Sequence, residues 1–207
     1  MSTPDARLVL LRHGETEWSS QRKHTSFTDL PLTEQGEAQA LAAGMVLKSL
    51  ELRDPLCFTS PRLRARHTAE LAGLSPIQVD DDLVEWNYGE YEGITTAQIR
   101  ETVPGWTVWT APVPGGETAE QVGARADRIL ARVEPELPLR DVILVGHGHF
   151  SRVLIARWAE FAVREGRRFA MSTGAVSVLG FDHDAHSIWG HNLTVRTEPT
   201  APPTPAS

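Results

Sequence analysis

Cysteine is almost absent from this chain of 207 residues: Cys57 is the only one, so no disulfide can form within the chain. Apolar runs of membrane-spanning length are also missing, and the first residues, Met1–Asp5, lack the pattern of a secretory signal peptide. Basic residues are fewer than acidic ones, 20 against 27, and the net charge of −7 argues against a surface that binds nucleic acid or acidic membranes. We therefore expect a cytoplasmic protein with neither kind of partner.

The length suits a single domain with a sizeable hydrophobic core. We predict that this domain spans residues 1–196 and that the proline-rich residues 197–207 form a disordered tail. The apolar neighbours of Cys57 indicate a buried core position. No polar partner or helix start stands beside it, so the pattern does not favour a nucleophilic thiol.

The strongest signal lies in two short segments far apart in the chain, Leu11–Thr16 and Val145–His149. Each places a histidine, His13 or His147, directly before a glycine and at the end of an apolar run. In open parallel sheets, ligands bind beyond the carboxyl ends of the strands, where both histidines would lie. Two imidazoles beside Arg12 in one crevice indicate an oxyanion site, with phosphate as the favoured ligand.

The remaining pattern alternates strands and helices, which predicts an α/β fold: a three-layer α/β/α sandwich with a mostly parallel central sheet. The predicted strands cover residues 7–11, 56–59, 77–79, 141–145, 175–181 and 187–196. The predicted helices cover residues 33–52, 60–71, 117–134 and 151–161, with Ser60 as N-cap and Pro61 as first residue of the second helix. Leu41, Met45, Leu47 and Leu50 would form the apolar stripe of the first helix. Residues 17–29 are predicted to be a polar loop and 80–116 an irregular stretch.

Three further elements would complete a chemical site. The segment Ser60–Thr68 follows a strand, so Arg64 in its helix would point into the same crevice, where its fork of donors matches phosphate oxygens. Glu85 is flanked by aromatic residues, and burial there would favour the protonated form that acts as an acid. Arg152 follows His147 and would face the same rim, unless it is simply solvated.

These residues are recognisable together. Arg12–Thr16 followed by Thr28–Thr33 resembles the opening of the histidine phosphatase superfamily, in its phosphoglycerate mutase-like branch. The segments Ser60–Glu70, Leu83–Gly93 and His147–His149 are similar to the later motifs in order. Within the branch, the likeness is greatest to small acid phosphatases and sedoheptulose-bisphosphatase-like enzymes. The resemblance extends from residue 8 to about residue 181.

The resemblance implies a metal-independent phosphomonoesterase without a cofactor. The residues alone do not choose between His13 and His147 as nucleophile, and the resemblance assigns that role to His13. It also implies that Arg12, Arg64 and His147 hold the phosphoryl oxygens. Glu85 would protonate the leaving oxygen and then deprotonate the attacking water, although Glu90 and Glu92 are nearby candidates for that role.

The same resemblance separates phosphatases from mutases. Mutases of this branch carry Arg-His after the catalytic glutamate and an asparagine after the first motif. This chain has Trp86-Asn87 and Ser19 at those places, which favours a phosphatase of small phosphorylated metabolites. The predicted substrate pocket comprises Ser19, His24, Thr25, Ser26, Trp86, Asn87, Tyr88, His149, Arg152, Thr173 and Gly174. His24 and Ser26 depart from the tyrosine and glycine typical of the bisphosphatase-like relatives.

Several alternatives remain at this point. The chain could be a mutase-type phosphoryl transferase, a sugar bisphosphatase, or a non-catalytic protein that binds phosphorylated ligands. A metal-dependent hydrolase built on His147 and His149 would need carboxylate ligands at matching strand ends, whereas Asp141 lies at the wrong end of its strand. His183, His186 and His191 are predicted to be exposed residues of a turn rather than a metal cluster. The resemblance also allows a homodimer.

Overall fold

The computed structural model describes residues 6–195, so the predicted tail lies outside the described residues. The strands in this range are β1 Leu8–Arg12, β2 Leu56–Thr59, β3 Ile77–Val79, β4 Val142–Gly146, β5 Val176–Asp182 and β6 Ala185–Leu193. The α-helices are α1 Glu17–Ser20, α2 Glu34–Ser49, α3 Leu63–Leu71, α4 Thr96–Thr102, α5 Ala119–Val133 and α6 Gly148–Trp158. Short 3-10 helices cover Asp81–Leu83, Gly89–Tyr91, Glu134–Glu136 and Val163–Arg168. Within the same range, no helix has both the length and the apolar character needed to cross a membrane.

The six strands form one sheet in the order β3-β2-β4-β1-β5-β6. The first four run parallel to one another, while β5 is antiparallel to β1 and β6 is antiparallel to β5. In the register of β1 with β4, Arg12 lies opposite Gly146. The residues that follow these two strands therefore emerge at the same edge of the sheet, as predicted for His13 and His147.

The core lies on both faces of the sheet. Leu8 and Leu10 of β1 pack into the cluster that includes residues of α5 and α6, whereas Val9 and Leu11 pack into the cluster that includes α2 and α3. Successive side chains of a strand point to opposite faces, so a strand that is apolar throughout requires a helical layer on each side. This confirms the predicted three-layer α/β/α sandwich with a mostly parallel sheet. Cys57 is buried, as predicted.

The predicted apolar stripe of α2 is wrong in part. Leu41 and Met45 are 55% and 58% exposed, and the buried face consists of small residues together with Leu47. A Cβ atom at Gly44 would lie 2.8 Å from the carbonyl oxygen of Ala72, just beyond α3. The helix therefore approaches its neighbours too closely for large side chains on that face, and the larger residues turn outward.

Two helices begin at other residues than the sequence predicts. The helix α3 begins at Leu63, because the backbone N–H of Leu63 is accepted by Asp29 Oδ1 at 2.8 Å and Ser60 caps no helix. The helix α6 begins at Gly148, three residues earlier than predicted, and its N-cap is His147. The first turn of α6 therefore belongs to the crevice, and its N–H groups, which have no partners earlier in the helix, are available to acceptors at the predicted site.

The polar loop and the irregular stretch also contain helices that the prediction missed. The helix α1 lies within residues 17–29 and α4 lies within residues 80–116. Each begins with a capping box, formed by Thr16 with Ser19 and by Thr95 with Gln98. The Thr-x-x-Gln spacing is a recognisable helix start, so α4 had a signal in the sequence.

Candidate active site

His13 stands directly after β1 with its imidazole buried. Its Nδ1 lies 2.7 Å from the carbonyl oxygen of Gly14. Because a carbonyl oxygen can only accept, Nδ1 carries the hydrogen, and Nε2 of the neutral ring keeps its lone pair. The backbone N–H of His13 donates to the carbonyl of Gly146 at 3.0 Å, which joins the two predicted motifs.

The turn after His13 is fixed by contact between main chains. A Cβ atom at Gly14 would lie 2.1 Å from the carbonyl oxygen of Gly36, and a Cβ atom at Gly36 would lie 2.1 Å from that of Glu15. The N–H of Gly14 also donates to the Thr68 hydroxyl at 3.0 Å. The first turn of α2 and the helix α3 therefore hold the backbone beside His13 in place.

His147 is fully buried, and both of its ring nitrogens are used. Arg64 Nε donates to Nδ1 at 3.3 Å, so the ring hydrogen is on Nε2, which lies 2.7 Å from the Ser60 hydroxyl oxygen. The ring centroids of His13 and His147 are 5.2 Å apart in an edge-on arrangement. The structure thus brings the two predicted histidines together. The Ser60 hydroxyl, predicted to be a helix N-cap, instead accepts the hydrogen bond of the His147 ring.

Arg12 brings a cationic group with an unpaired donor. Its Nη1 donates to the carbonyl of Met171, but its buried Nε has no hydrogen-bond partner within residues 6–195. The guanidinium lies against Gly148, where a Cβ atom would be only 3.1 Å from Arg12 Cζ. A buried N–H without a partner is costly, and an oxyanion in the crevice would supply the missing acceptor.

Arg64 is fully buried on the first turn of α3. Besides its bond to His147, its Nη atoms donate to the carbonyls of Thr25, Ser26 and Thr28 at 3.2, 3.0 and 3.0 Å. Arg64 therefore brings a buried positive charge to the site and holds the segment of chain that follows α1.

The carboxylate of Glu85 contacts the first turn of α6. Its Oε1 accepts the N–H groups of Trp86 and Phe150 at 2.9 and 2.8 Å, and its Oε2 accepts that of His149 at 3.0 Å. The sequence predicted an aromatic surrounding, but three backbone donors and a helix N-terminus also contact this carboxylate. They fix the position of the carboxylate at the edge of the site.

Positive charge predominates around the two histidines. Burial lowers the pKa of His13 well below its ordinary value, and Arg64 and Arg12 lower it further. Burial also lowers the pKa of His147 well below the ordinary value, with Arg64 the next contributor. Both rings are therefore neutral at neutral pH, while the two guanidinium groups attract an anion.

A cavity of about 340 Å³ opens in front of His13. Its walls include most of the predicted site, namely Arg12, His13, Ser19, His24, Thr25, Glu85, Tyr88, His149 and Arg152. This volume suits a small molecule. The predicted nucleophile His13, the predicted acid Glu85 and several predicted substrate-binding residues therefore line one cavity.

The geometry can be set beside known proteins. Residues 8–194 match the family model described as the histidine phosphatase superfamily, branch 1. The chain belongs to this superfamily. An acid phosphatase of Mycobacterium tuberculosis is 47% identical over 201 residues, which cover 97% of this chain and 99% of that protein. Sedoheptulose 1,7-bisphosphatase of Saccharomyces cerevisiae is 37% identical over 189 residues, which cover 77% of this chain and 69% of that protein. A solved structure from M. tuberculosis is 48% identical and superposes with a TM-score of 0.90. The superposition covers 92% of this chain and 98% of that one.

These similarities confirm the predicted family and class of enzyme: this member of the histidine phosphatase superfamily is a phosphatase. The aligned region includes both histidine segments and everything between them.

Three predicted pocket residues of this histidine phosphatase lie outside the cavity lining. The Ser26 hydroxyl donates to Glu92 at 2.6 Å. Trp86 is buried, and its Nε1 donates to the carbonyl of Glu117 at 2.9 Å. The side-chain oxygen of Asn87 accepts a backbone N–H two residues further on. Ser26 and Trp86 bond to distant segments and Asn87 bonds within its own turn, so each side chain is engaged away from the cavity.

Thr173 and Gly174 also lie outside the lining. The N–H of Gly174 contacts the carbonyls of Arg12 and His13 at 3.2 and 3.1 Å. Gly174 therefore supports the chain beside the nucleophile from the β5 side, and the structure gives it a positioning role in place of the predicted contact with substrate.

Besides Gly148, which belongs to a predicted motif, four cavity residues were missed by sequence reasoning: Arg22, Lys23, Thr96 and Met171. The first two form a basic pair directly before His24, a signal that was available in the sequence. The other two come from α4 and from the chain before β5, and no local pattern marks them.

Arg152 does not simply extend into solvent, because its Nε donates to the carbonyl of Gly166 at 3.0 Å and its guanidinium covers the Trp109 ring.

The histidines of the closing hairpin are separate from this site. The His183 side chain is 95% exposed, as expected for a turn residue. His186 lies 3.2 Å from Glu134, and Nδ1 of His191 lies 3.0 Å from the Ser177 hydroxyl. No group of three or more potential metal ligands occurs in the part of the chain that the structure describes.

Proposed function

We propose that this phosphatase hydrolyses phosphomonoesters of small metabolites through a phosphohistidine on His13. The observation that carries the proposal is the hydrogen bond from Nδ1 of His13 to the Gly14 carbonyl, which leaves a lone pair on Nε2 of a ring that lines the cavity. Nε2 attacks phosphorus, the ester P–O bond breaks, and its electron pair leaves on the ester oxygen.

Glu85 manages the protons of both steps. In its protonated form, it donates a proton to the leaving oxygen, and it becomes a carboxylate. That carboxylate then takes a proton from a water that attacks phosphorus, and the P–N bond to His13 breaks to release phosphate and the neutral imidazole. Glu85 and His13 line the same cavity, so one carboxyl group serves both steps.

Arg12 is the most available phosphoryl ligand, because its buried Nε lacks an acceptor within the described range. Arg64 and His147 stand beside His13: Arg64 adds positive charge, and a phosphoryl oxygen can replace the Ser60 hydroxyl as the partner of the His147 ring N–H. Fixed cationic groups of this kind stabilise the charge spread over phosphoryl oxygens during transfer. These groups supply the positive charge that the transfer requires, so we propose a reaction without a metal or other cofactor.

The far wall of the cavity supports a polar leaving group. Nδ1 of His24 donates to the carbonyl of Ile94 at 2.8 Å, and Nδ1 of His149 lies 2.6 Å from the Tyr88 hydroxyl. Burial lowers the pKa of both histidines, which leaves neutral rings with Nε2 atoms for hydroxyl groups of a substrate.

A sugar bisphosphate is the second candidate substrate. Arg152 and the basic pair Arg22-Lys23 line the cavity, and they could hold a second anionic group. The relative from S. cerevisiae is a sedoheptulose 1,7-bisphosphatase by name. Against this, His24 and Ser26 depart from the residues that such relatives carry, so a small phosphorylated metabolite is our first proposal.

We also propose a cytoplasmic location, without nucleic-acid or membrane partners. The negative net charge and the single buried Cys57 support it. The homodimer that the resemblance allows remains a prediction.

The first test compares wild type with His13→Ala on p-nitrophenyl phosphate and a panel of sugar and polyol phosphates, with chelator present. We expect phosphate release from wild type and a loss of at least about 10⁴-fold in the variant, because no other group replaces the nucleophile. Equal release from both proteins would exclude His13 as the nucleophile. No release from wild type would point to a phosphoryl transferase or a binding protein.

A further inference from the structure

The geometry points to Glu92 as a positioning residue that fixes Arg64, and through it His147, by holding the segment Thr25–Thr28 from the opposite side. The inference rests on the proposed function, because it assumes that Arg64 and His147 serve phosphoryl transfer. Glu92 itself does not line the cavity, so it acts on the reaction only through other residues.

Glu92 holds the segment by its N–H groups. Its Oε1 accepts the backbone N–H of Ser26 at 3.0 Å and that of Thr28 at 3.1 Å. Its Oε2 lies 2.9 Å from the same Ser26 nitrogen and accepts the Ser26 hydroxyl at 2.6 Å. Three donors, two from Ser26 and one from Thr28, therefore converge on one carboxylate, which fixes the orientation of both peptide planes.

Arg64 holds the same segment by its carbonyls. The carbonyl oxygens of Ser26 and Thr28 each lie 3.0 Å from a different Nη atom, and that of Thr25 lies 3.2 Å from Nη2. Ser26 and Thr28 thus donate to Glu92 on one side and accept from Arg64 on the other. An acidic and a basic side chain are joined through two residues of main chain.

The connection continues into the site. With its Nη atoms committed to these carbonyls, Arg64 directs Nε to Nδ1 of His147 at 3.3 Å. That bond selects the tautomer of His147 whose Nε2–H reaches the Ser60 hydroxyl at 2.7 Å. Rotation of the segment would move the carbonyls, and with them the guanidinium plane and the proton position on His147.

Charge supports the same arrangement. Burial lowers the pKa of the Arg64 guanidinium, and the nearby carboxylates of Glu85, Asp29 and Glu92 oppose that effect. Glu92 therefore contributes a negative charge to a buried cation as well as geometry. Removal of a carboxylate from a buried charge network has a larger effect than removal of an exposed one.

The chain offers a matched control two residues away. Glu90 lies in the same stretch but is exposed, and its side chain makes none of the contacts of Glu92. The test measures kcat and KM for p-nitrophenyl phosphate, and the Kd of vanadate, in Glu92→Gln, Glu90→Gln, Arg64→Lys and the double variant Glu92→Gln/Arg64→Lys. Thermal midpoints report whether each variant is folded.

We expect Glu92→Gln to lower kcat about 30-fold, with a change in KM below about 3-fold, because a small displacement of a catalytic group has a large cost in rate. Vanadate affinity should fall in parallel with kcat. In the Arg64→Lys background the same substitution should change kcat by less than about 3-fold, because residues that act through one another are not additive. Glu90→Gln should stay within about 2-fold of wild type.

Additive effects in the double variant, or wild-type kcat in a folded Glu92→Gln, would overturn the inference. If Glu92→Gln does not fold, Ser26→Ala removes one bond to Glu92 and should still lower kcat several-fold. Wild-type kcat in that variant would also count against the connection. Failure of the proposed function is distinguishable, because it would appear as undiminished activity in His13→Ala or in Arg64→Lys.

Discussion

The strands β1 and β4 carry buried charge at both ends, and the two ends are treated differently. At their amino ends, Arg7 and Asp141 form an ion pair in which Nη2 and Oδ2 are 2.7 Å apart. Asp141 Oδ2 also accepts the N–H of Arg53 at 2.6 Å. At their carboxyl ends, Arg12 and Arg64 lie beside two neutral histidines, and Arg12 Nε lacks an acceptor within residues 6–195.

The comparison teaches which buried charges belong to the fold and which await a ligand. The amino end is balanced, because Arg7 donates to both oxygens of Asp141 and to two backbone carbonyls. The carboxyl end keeps more positive charge than its carboxylates neutralise locally, and it faces a cavity. An imbalance beside a cavity indicates function, whereas a balanced pair in the same sheet indicates stability. Asp141 also lies away from the site, as the sequence predicted.

After His13, substitution of Glu85 should have the largest effect on activity. We expect Glu85→Gln to lower kcat by about 10²- to 10⁴-fold, because an amide can neither donate the acid proton nor accept one from water. With p-nitrophenyl phosphate, whose leaving group needs little protonation, phosphohistidine should form faster than it hydrolyses. A burst of p-nitrophenol before the steady state measures this.

The control for this substitution is stability. The thermal midpoint of Glu85→Gln should stay close to that of wild type although kcat falls, since the amide oxygen still accepts two of the three backbone N–H groups. A kcat within about 5-fold of wild type on alkyl phosphates would rule out Glu85 as the general acid.

Substitution of Asp141 should sharpen the comparison from the other end. Asp141→Asn places an amide NH₂ beside donors of Arg7 and Arg53, so we expect a loss of about 3 kcal/mol in the free energy of unfolding, with kcat of the folded enzyme unchanged. Asp127→Asn is the matched control: it breaks an exposed ion pair with Arg157 and should cost below about 1 kcal/mol. Urea titration at neutral pH measures both, and equal losses would remove the distinction between the pairs.

The smallest expected effect concerns pH. Burial lowers the pKa of His147 well below its unfolded value, so below pH 6.5 the unfolded chain binds a proton that the folded one does not. Stability should therefore fall as pH drops from 7 towards 5, by up to about 1.4 kcal/mol per pH unit for this group. His147→Asn should show a shallower decline over the same window. Urea titrations at pH 7 and pH 5 measure the free energy of unfolding of both proteins. An equal loss between these pH values in wild type and in His147→Asn would show that His147 is not the group responsible.

The sheet could be predicted from the sequence because its strands are continuous apolar runs bounded by polar residues or turns. The start of α6 could not, because Gly148 and His149 look like a loop, and it is Glu85, distant in sequence, that accepts the N–H groups of His149 and Phe150 in the first turn. The exposed Leu41 and Met45 show a similar limit. Their hydrophobicity indicated burial, but the spacing between helices, which excludes them, is a property of the folded molecule.

The site could be predicted to the extent that its chemistry follows strand ends. His13, His147 and Arg12 required only the parallel register to meet. The contacts of Ser26 and Trp86 could not be foreseen, because each depends on a hydrogen bond to a residue far along the chain. Residue type gave the available chemistry, and long-range pairing decided which side chains face the cavity.

The main-chain contact between Gly14 and Gly36 has a consequence for how this enzyme can change over time. The nucleophile is anchored by backbone against backbone, so its place does not depend on the identity of the residues that contact substrate. The cavity wall around His24 and Thr25 is then free to vary while the reacting centre stays fixed. A backbone anchor beside a replaceable wall lets one reacting centre serve substrates of different shapes.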